Sequence, residues 1–173
     1  METIRRVTSG VDENKVSKVI KDDEIKAFVP YEEFPSFQIQ ELFYTEDNPL
    51  SLLTRHLTKF YDIDLPKGAM RFMKIRMPTK MEMTRELKLA GRPIPDDWAK
   101  FNLHNTASVD YIYVISGEIT CVVGSALVEL KQGDFLAQIG PEHTWINDHN
   151  EACYLFCVMI GIEAGAELKR MTI

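Results

Sequence analysis

From residue 102 to residue 161 the chain alternates short apolar runs with turn residues. Glycines recur in these turns, at Gly117, Gly124, Gly133 and Gly140. Inside several runs apolar and polar positions alternate, which is typical of strands with one buried face. The pattern predicts six strands, within the segments 104–115, 116–123, 124–131, 132–139, 140–147 and 148–161. Short strands at such regular spacing indicate a compact antiparallel sandwich or barrel.

One further strand and one helix are predicted just before this block. The segment 71–77 alternates, so four of its side chains share one face of a strand, namely Arg71, Met73, Ile75 and Met77. The segment 80–91 holds good helix formers and ends at Gly91, which predicts a helix with a glycine at its C-terminal cap. By parity with its apolar neighbours Arg71 is expected to point inward, where it would hold a substrate carboxylate; the alternative is a solvated arginine at a strand end.

The first 65 residues mix charged and apolar positions and are expected to pack on the main body as an arm. The segments 24–30 and 37–45 are rich in β-formers and are predicted strands. The apolar periodicity of 49–61 predicts a short helix. The predicted organisation is an N-terminal arm, a β-barrel and a C-terminal tail, over residues 1–65, 66–165 and 166–173.

Composition narrows the class of protein. The chain has 173 residues, of which 45% are apolar, enough for one hydrophobic core. Its net charge is −6 and no basic run is longer than Arg5-Arg6, so no nucleic-acid partner is expected. No apolar stretch approaches the ~18 residues of a membrane span and the start is too polar for a signal peptide, which predicts a cytoplasmic protein without a membrane partner.

The three cysteines suggest neither disulfides nor a zinc site. Cys121, Cys153 and Cys157 lie in apolar runs and lack the CxxC spacing. They are interpreted as small buried side chains.

Two segments of the β-rich block carry histidines and other polar residues at fixed spacing. The first runs from His104 through Asp110 to Gly117, and the second from Gly133 through His143 to Asn147. They resemble the two motifs of the cupin family, G-x5-H-x-H-x3,4-E-x6-G and G-x5-P-x-G-x2-H-x3-N. Gly117 stands seven residues after Asp110, and Asn147 stands four after His143, as the motifs require.

The sequence around these motifs is similar to that of a subgroup of small single-domain cupins. The opening METIRRVTSG resembles the start of such proteins as well. The resemblance implies an all-β fold, the cupin double-stranded β-helix or jelly-roll barrel, with an N-terminal arm and one or two short helices. Departures are present: Thr106 replaces the second histidine of motif 1, Asp110 replaces its glutamate, and Ile139 and Pro141 stand where motif 2 has proline and glycine.

Carried over by position, the resemblance implies that His104, Asp110 and His143 are metal ligands. Two imidazoles and one carboxylate are also the ligand set that holds non-haem Fe(II) with open positions. A divalent metal (Fe, Mn, Ni or Zn) is therefore the expected cofactor. No organic cofactor is expected.

Strand periodicity singles out Asp110 independently of the resemblance. If the strand is unbroken, His104, Thr106 and Asp110 share one face with Ile112 and Val114. A carboxylate on an inward face must be paired, protonated or metal-bound, because an isolated buried charge is costly. The alternatives are a hydrogen bond to a neighbouring turn or an arginine partner, Arg71 or Arg76. For His104 and His143 the alternative is a structural histidine at a strand start.

Other side chains are candidate substrate contacts. Trp145 is either a core residue or a stacking wall for a flat substrate. Asn147 is either a turn cap or a substrate contact. With Thr106 and Arg71 they form the predicted substrate-binding set. Tyr111 and Tyr113 face the other way and are expected to pack under the arm or at a subunit interface.

Three functions fit these residues, because the cupin fold does not determine a reaction. The first is a metal-assisted enzyme, of oxygenase, decarboxylase or lyase/isomerase type, acting on a small and partly apolar organic molecule in the barrel. The second is a metal-free lyase, isomerase or cyclase with Asp110 and His143 as catalytic acid and base. The third is a non-catalytic small-molecule-binding cupin. A homodimer is expected, because dimerisation covers exposed sheet edges.

Overall fold

The computed structural model describes residues 1–11, 14–45, 64–140 and 142–163, which form ten strands and one helix. The predicted all-β fold is confirmed. In chain order the strands are β1 (Ile4–Val11), β2 (Ser17–Ile25), β3 (Gln38–Thr45), β4 (Met70–Met77), β5 (Ser108–Ser116), β6 (Glu118–Val123), β7 (Ala126–Lys131), β8 (Phe135–Ile139), β9 (His143–Ile146) and β10 (Cys153–Gly161). Helix α1 (Lys80–Leu89) lies between β4 and β5, and across the described ranges no helix has the length and apolarity to cross a membrane.

Two larger sheets enclose the core. A five-stranded sheet has the order β3-β4-β10-β5-β8, a three-stranded sheet has the order β7-β6-β9, and β1 and β2 form a separate hairpin. All pairings are antiparallel. Buried residues of both larger sheets meet, among them Met73, Val114, Ile119 and Leu155. The six strands predicted between residues 104 and 161 are therefore confirmed as β5 to β10.

The inward and outward faces follow the period of two. Along β10 every second residue from Cys153 to Gly161 is buried. Along β5 the buried side chains include Asp110, while Tyr111 and Tyr113 are 42% and 46% exposed. The described part of the arm does not cover these tyrosines, and the other expectation, a subunit interface, stays a prediction. Tyr111 stacks on Phe135 on the outer surface.

Strand β4 and helix α1 occur where the sequence predicts them. Arg71 and Met73 are buried, as the alternation requires. Thr79 caps the helix N-terminus in a capping box with Glu82, which satisfies backbone amides that have no helical partner. The helix ends at Leu89, and Gly91 follows its C-cap with a φ of 66°, a left-handed conformation that glycine adopts without strain.

The secondary structure of the arm agrees with the prediction in part. Strand β3 confirms the strand predicted at 37–45 and joins the larger sheet beside β4. The strand predicted at 24–30 is wrong beyond Ile25, where β2 ends; Phe28 then makes an isolated bridge to Ile39. The helix predicted at 49–61 lies outside the described residues.

The hairpin of β1 and β2 was not predicted. Its strands are joined by two forked ion pairs, Arg5 with Asp22 and Arg6 with Asp23. The Arg6 guanidinium lowers the pKa of Asp23 to about 2. Few of its side chains are buried, so the sequence there lacks the alternation that identifies a strand.

Candidate functional site

A cavity of about 340 Å³ opens inside the barrel. Aromatic and aliphatic side chains form most of its wall, including Phe34, Phe37, Met73, Ile75, Phe101 and Trp145. The polar side chains on its wall include His104, Thr106, Asp110, Gln138, His143 and Asn147. An apolar cavity with a few convergent polar groups is typical of small-molecule sites.

Three consecutive inward positions of the chain form a buried line of hydrogen bonds. Ser108 Oγ donates to Asp110 Oδ1 at 2.6 Å, and the hydroxyls of Thr106 and Ser108 are joined at 2.7 Å. Because Ser108 uses its hydrogen on ionised Asp110, the Thr106 hydroxyl must then be the donor to Ser108. This line orients the Asp110 carboxyl group from one side.

Burial dominates the electrostatics of Asp110. Removal from water raises the pKa of this carboxyl group above its ordinary value. The hydrogen bond from Ser108 and the electrostatic effect of the nearby His104 ring oppose that rise without cancelling it. The neighbouring Cys157 thiol is also buried, and burial raises its pKa. Asp110 is therefore a carboxyl group that holds its proton to higher pH than an exposed aspartic acid.

The two histidines lie side by side at the cavity wall. The backbones of His104 and His143 form an isolated antiparallel bridge, and their ring centroids are 4.5 Å apart. His143 is buried, and its ring meets Trp145 edge to face. His104 is half-buried, and its Nδ1 lies 2.7 Å from the Asn102 carbonyl oxygen, so Nδ1 carries the hydrogen.

Comparison with known proteins identifies the family. A sequence model of the family described as "Cupin domain" matches residues 94–159. Residues 94–159 of this barrel form a cupin domain. The resemblance drawn from the two histidine-bearing motifs and the predicted double-stranded β-helix fold are both confirmed.

Several solved structures are similar to this chain at low sequence identity. An RmlC-like cupin from Shewanella frigidimarina is 12% identical, with a TM-score of 0.44, and the match covers 78% of this chain and 80% of that chain. The polyketide cyclase RemF from Streptomyces resistomycificus is 13% identical, with a TM-score of 0.47 and coverage of 78% and 72%. The Cnp3 cupin domain of Schizosaccharomyces pombe is 11% identical, with a TM-score of 0.44 and coverage of 93% and 85%. Among proteins of curated function, none matches the sequence.

The predicted metal ligands of this cupin line one cavity but are not gathered around one point. Across the described ranges, no group of three or more His, Cys, Asp or Glu side chains is arranged to hold a metal ion. Two physical reasons are visible: Asp110 is held by Ser108, and Thr106 supplies a hydroxyl in place of an imidazole. As placed, the donor set does not fit the expected three-ligand site, and the metal stays a prediction.

The break in strand regularity explains the position of His104. Strand β5 begins only at Ser108, and Asn102 has a φ of 54°. His104 therefore reaches the cavity through its bridge to β9 and not as part of an unbroken strand. The expectation of one continuous strand from residue 104 is wrong.

Trp145 and Asn147 both line the cavity, but they differ in their contacts with the rest of the protein. Trp145 is half-buried and presents its ring to the cavity beside His143. The Asn147 amide nitrogen donates to the carbonyls of Met77 and Glu151, and its oxygen accepts from the His149 amide. Asn147 is thus a loop cap, which was one of its two sequence interpretations.

Arg71 faces inward as predicted but lies outside the cavity wall. Its Nε is 3.0 Å from Glu41 Oε2, and both side chains are buried. Burial raises the pKa of Glu41, and the Arg71 charge works against that rise. Arg76 pairs with Glu82. Neither arginine is the partner of Asp110 that the sequence left open, and Arg71 is not placed to hold a substrate in this cavity.

Sequence reasoning missed several residues of the site. Ser108 lies at an even position between Thr106 and Asp110, so strand parity alone would have found it. Gln138 is the polar residue of the apolar strand FLAQI, directly opposite Asp110 in the β5–β8 pairing. A polar residue at an inward parity is the signal that would have identified it.

The arm supplies three of the aromatic side chains of the wall, which the sequence did not predict. Tyr31, Phe34 and Phe37 line the cavity. Ser36 fixes this segment, because its amide and hydroxyl both donate to the Glu86 carboxylate of α1. Arg76 donates to the Ser36 carbonyl oxygen at 2.8 Å. One residue of the arm is thereby tied to α1 and β4.

Proposed function

We propose that this cupin is an enzyme that moves a proton on a small, neutral and mostly apolar organic molecule bound in its barrel. The reaction belongs to the lyase, isomerase or cyclase type, with Asp110 as the proton carrier and His143 as its partner. The observation that carries the proposal is the buried Asp110 carboxyl group on the wall of a largely apolar cavity.

The wall composition supports a neutral substrate. Among the described residues, no Lys or Arg side chain lines the cavity. A carboxylate or phosphate entering it would lose its hydration without gaining a fixed cationic partner, which is costly. A flat, partly aromatic molecule would instead pack against Phe37, Met73 and Trp145.

The state of Asp110 supports proton transfer. A general acid or base works best when its pKa lies near the working pH, and burial moves the pKa of Asp110 in that direction. As a base, Asp110 would take a proton from a substrate carbon next to a carbonyl, and the C–H electron pair would move into an enolate. Return of the proton elsewhere gives an isomer, and loss of a leaving group gives elimination.

A metal-assisted reaction is the second candidate, favoured by the adjacent imidazoles of His104 and His143. A bound divalent ion would polarise a substrate oxygen. Elemental analysis of the protein purified without a histidine tag separates the two candidates. Near-stoichiometric iron, manganese, nickel or zinc, lost in His143→Ala, would favour this second candidate.

The test of the proposed function is proton exchange in D₂O. Hydroxylated aryl methyl ketones of one to three rings serve as probes, and NMR follows deuterium entry at the carbon next to the carbonyl. We expect the wild-type protein to accelerate exchange of at least one probe, and Asp110→Asn to lower that rate by about 10²–10⁴ with unchanged metal content.

The matched control is Asp96→Asn, which changes an exposed aspartate outside the cavity wall. It should exchange the probe at the wild-type rate. If Asp110→Asn loses metal and activity together, and added metal restores turnover, the metal-assisted reaction is correct instead. Binding without any exchange would support the non-catalytic cupin.

A further inference from the structure

Gln138 lies at the polar part of the cavity with one of its two amide atoms unused. Its side chain is 3% exposed, on β8 directly across from Asp110 on β5. The amide nitrogen donates to Cys121 Sγ at 3.2 Å. The amide oxygen is buried and has no hydrogen-bond partner within the described ranges. A buried carbonyl oxygen left unpaired is costly, so this oxygen favours a hydrogen-bond donor from outside the described residues, such as a bound ligand.

Several other polar groups in and beside this wall are engaged within the protein. Ser108 holds Asp110 and Thr106, and Thr144 donates to the Phe101 carbonyl oxygen. The Asn147 amide is used at both ends by the backbone. Of the buried side-chain oxygens that lack a hydrogen bond in the described structure, the one on a residue lining this cavity is Gln138 Oε1.

The chemical nature of Gln138 Oε1 determines which kind of ligand group can bind to it. A carbonyl oxygen accepts hydrogen bonds and cannot donate them, so its partner must carry an O–H or N–H. The facing Asp110 carboxylate is a second acceptor, and an anionic ligand group would be repelled there. A phenol, an enol or an amide N–H meets both conditions.

We infer that Gln138 determines substrate specificity by accepting a hydrogen bond from a hydroxyl or N–H group of the neutral substrate. The inference rests on the proposed use of this cavity for a small neutral molecule. It adds the substrate class: a hydroxylated or amide-bearing aromatic compound, bound with its donor group toward β8. Selection of this kind is strong because a ligand without the donor leaves the buried oxygen unpaired.

The test compares two probes of nearly equal shape, 2-naphthol and 2-methylnaphthalene, by equilibrium dialysis. The wild-type protein should bind 2-naphthol roughly tenfold more tightly. Gln138→Met keeps the side-chain length and removes the acceptor, so the ratio should fall to about two or less. The control Gln132→Met, on the exposed turn before β8, should keep the wild-type ratio.

Each outcome decides the inference. A hydroxyl preference that persists in Gln138→Met would overturn it, as would equal affinities in the wild-type protein, the result expected if a bound water satisfies the oxygen. Failure of both probes to bind would overturn it too. The wild-type ratio stands as evidence even if Gln138→Met does not fold, which its melting curve reports. The binding ratio needs no turnover, so absence of deuterium exchange in the wild-type protein alone leaves this inference intact.

Discussion

The Asp110 side chain ties the stability of the protein to pH. Burial raises its pKa in the folded state above the ordinary value of 3.8. Below that value the group is protonated in both states and folding carries no charge penalty. As the pH rises, the unfolded chain releases the proton first, so the folded state loses stability until the pH has passed the raised pKa.

The stability of Asp110→Asn should therefore depend on pH in a defined direction. Asparagine keeps an oxygen that accepts from Ser108 but cannot ionise. We expect the variant to gain free energy of unfolding relative to wild type at pH 8, and to gain less or nothing at pH 4. Urea denaturation at both pH values measures this. Asp96→Asn should show no such difference, and an equal gain for Asp110→Asn at both values would contradict burial of the ionised carboxylate as the cause.

Strand parity explains which site residues the sequence could predict. It placed Asp110 inward correctly, because successive side chains of a strand must alternate. It failed at His104, where the chain is not yet a strand, and His104 depends on a bridge to His143 that is distant in sequence. It placed Arg71 inward but could not show that Glu41, from a strand of the arm, already pairs with it.

Helix α1 positions the aromatic wall of the cavity through a single residue of the arm. Glu86 accepts two hydrogen bonds from Ser36, at 2.9 and 2.8 Å. Phe34 and Phe37 lie on either side of Ser36, and both line the cavity. The Glu86 carboxylate of α1 therefore helps to hold this part of the wall, together with the hydrogen bond from Arg76 to the Ser36 carbonyl oxygen.

Glu86→Ala should loosen this wall. The loss of two hydrogen bonds to a charged group predicts a decrease of about 1–3 kcal/mol in the free energy of unfolding. The affinity for 2-naphthol should fall severalfold, since a mobile wall must be ordered on binding. Urea denaturation and equilibrium dialysis measure the two effects. Arg85→Ala truncates an exposed neighbour on the same helix, and an equal loss there would show that the effect belongs to α1 in general.

The elements of the barrel could be predicted from sequence, whereas those of the arm could be predicted only in part. Strands β5 and β10 bury every second residue along most of their length, so their alternating pattern is strong. The β1–β2 hairpin is held by one exposed and one half-buried ion pair, and ion pairs leave no hydrophobic period. That physical difference explains why the hairpin was missed.

At the scale of the whole molecule, the end of β10 packs against the chain segment that leads into β4. The Gly161 amide donates to the Ala69 carbonyl oxygen, and the Gly68 amide donates to the Gly161 carbonyl oxygen. A Cβ added at Gly161 would lie 2.1 Å from the Pro66 oxygen and 2.9 Å from the Leu65 oxygen. These are backbone atoms, which a rotamer change cannot move aside.

Gly161→Ala should therefore push the end of β10 away from the segment 65–69 that leads into β4. We expect a loss of about 3 kcal/mol in the free energy of unfolding, because relief of the contact requires backbone movement. Gly124→Ala is the matched comparison: its φ is 57°, but an added Cβ meets nothing within 4 Å, so only the left-handed backbone is penalised, by about 1 kcal/mol. Urea denaturation of both variants measures the difference. Equal losses would mean that the segment 65–69 shifts freely, and that the closeness of β10 to this segment does not stabilise the barrel.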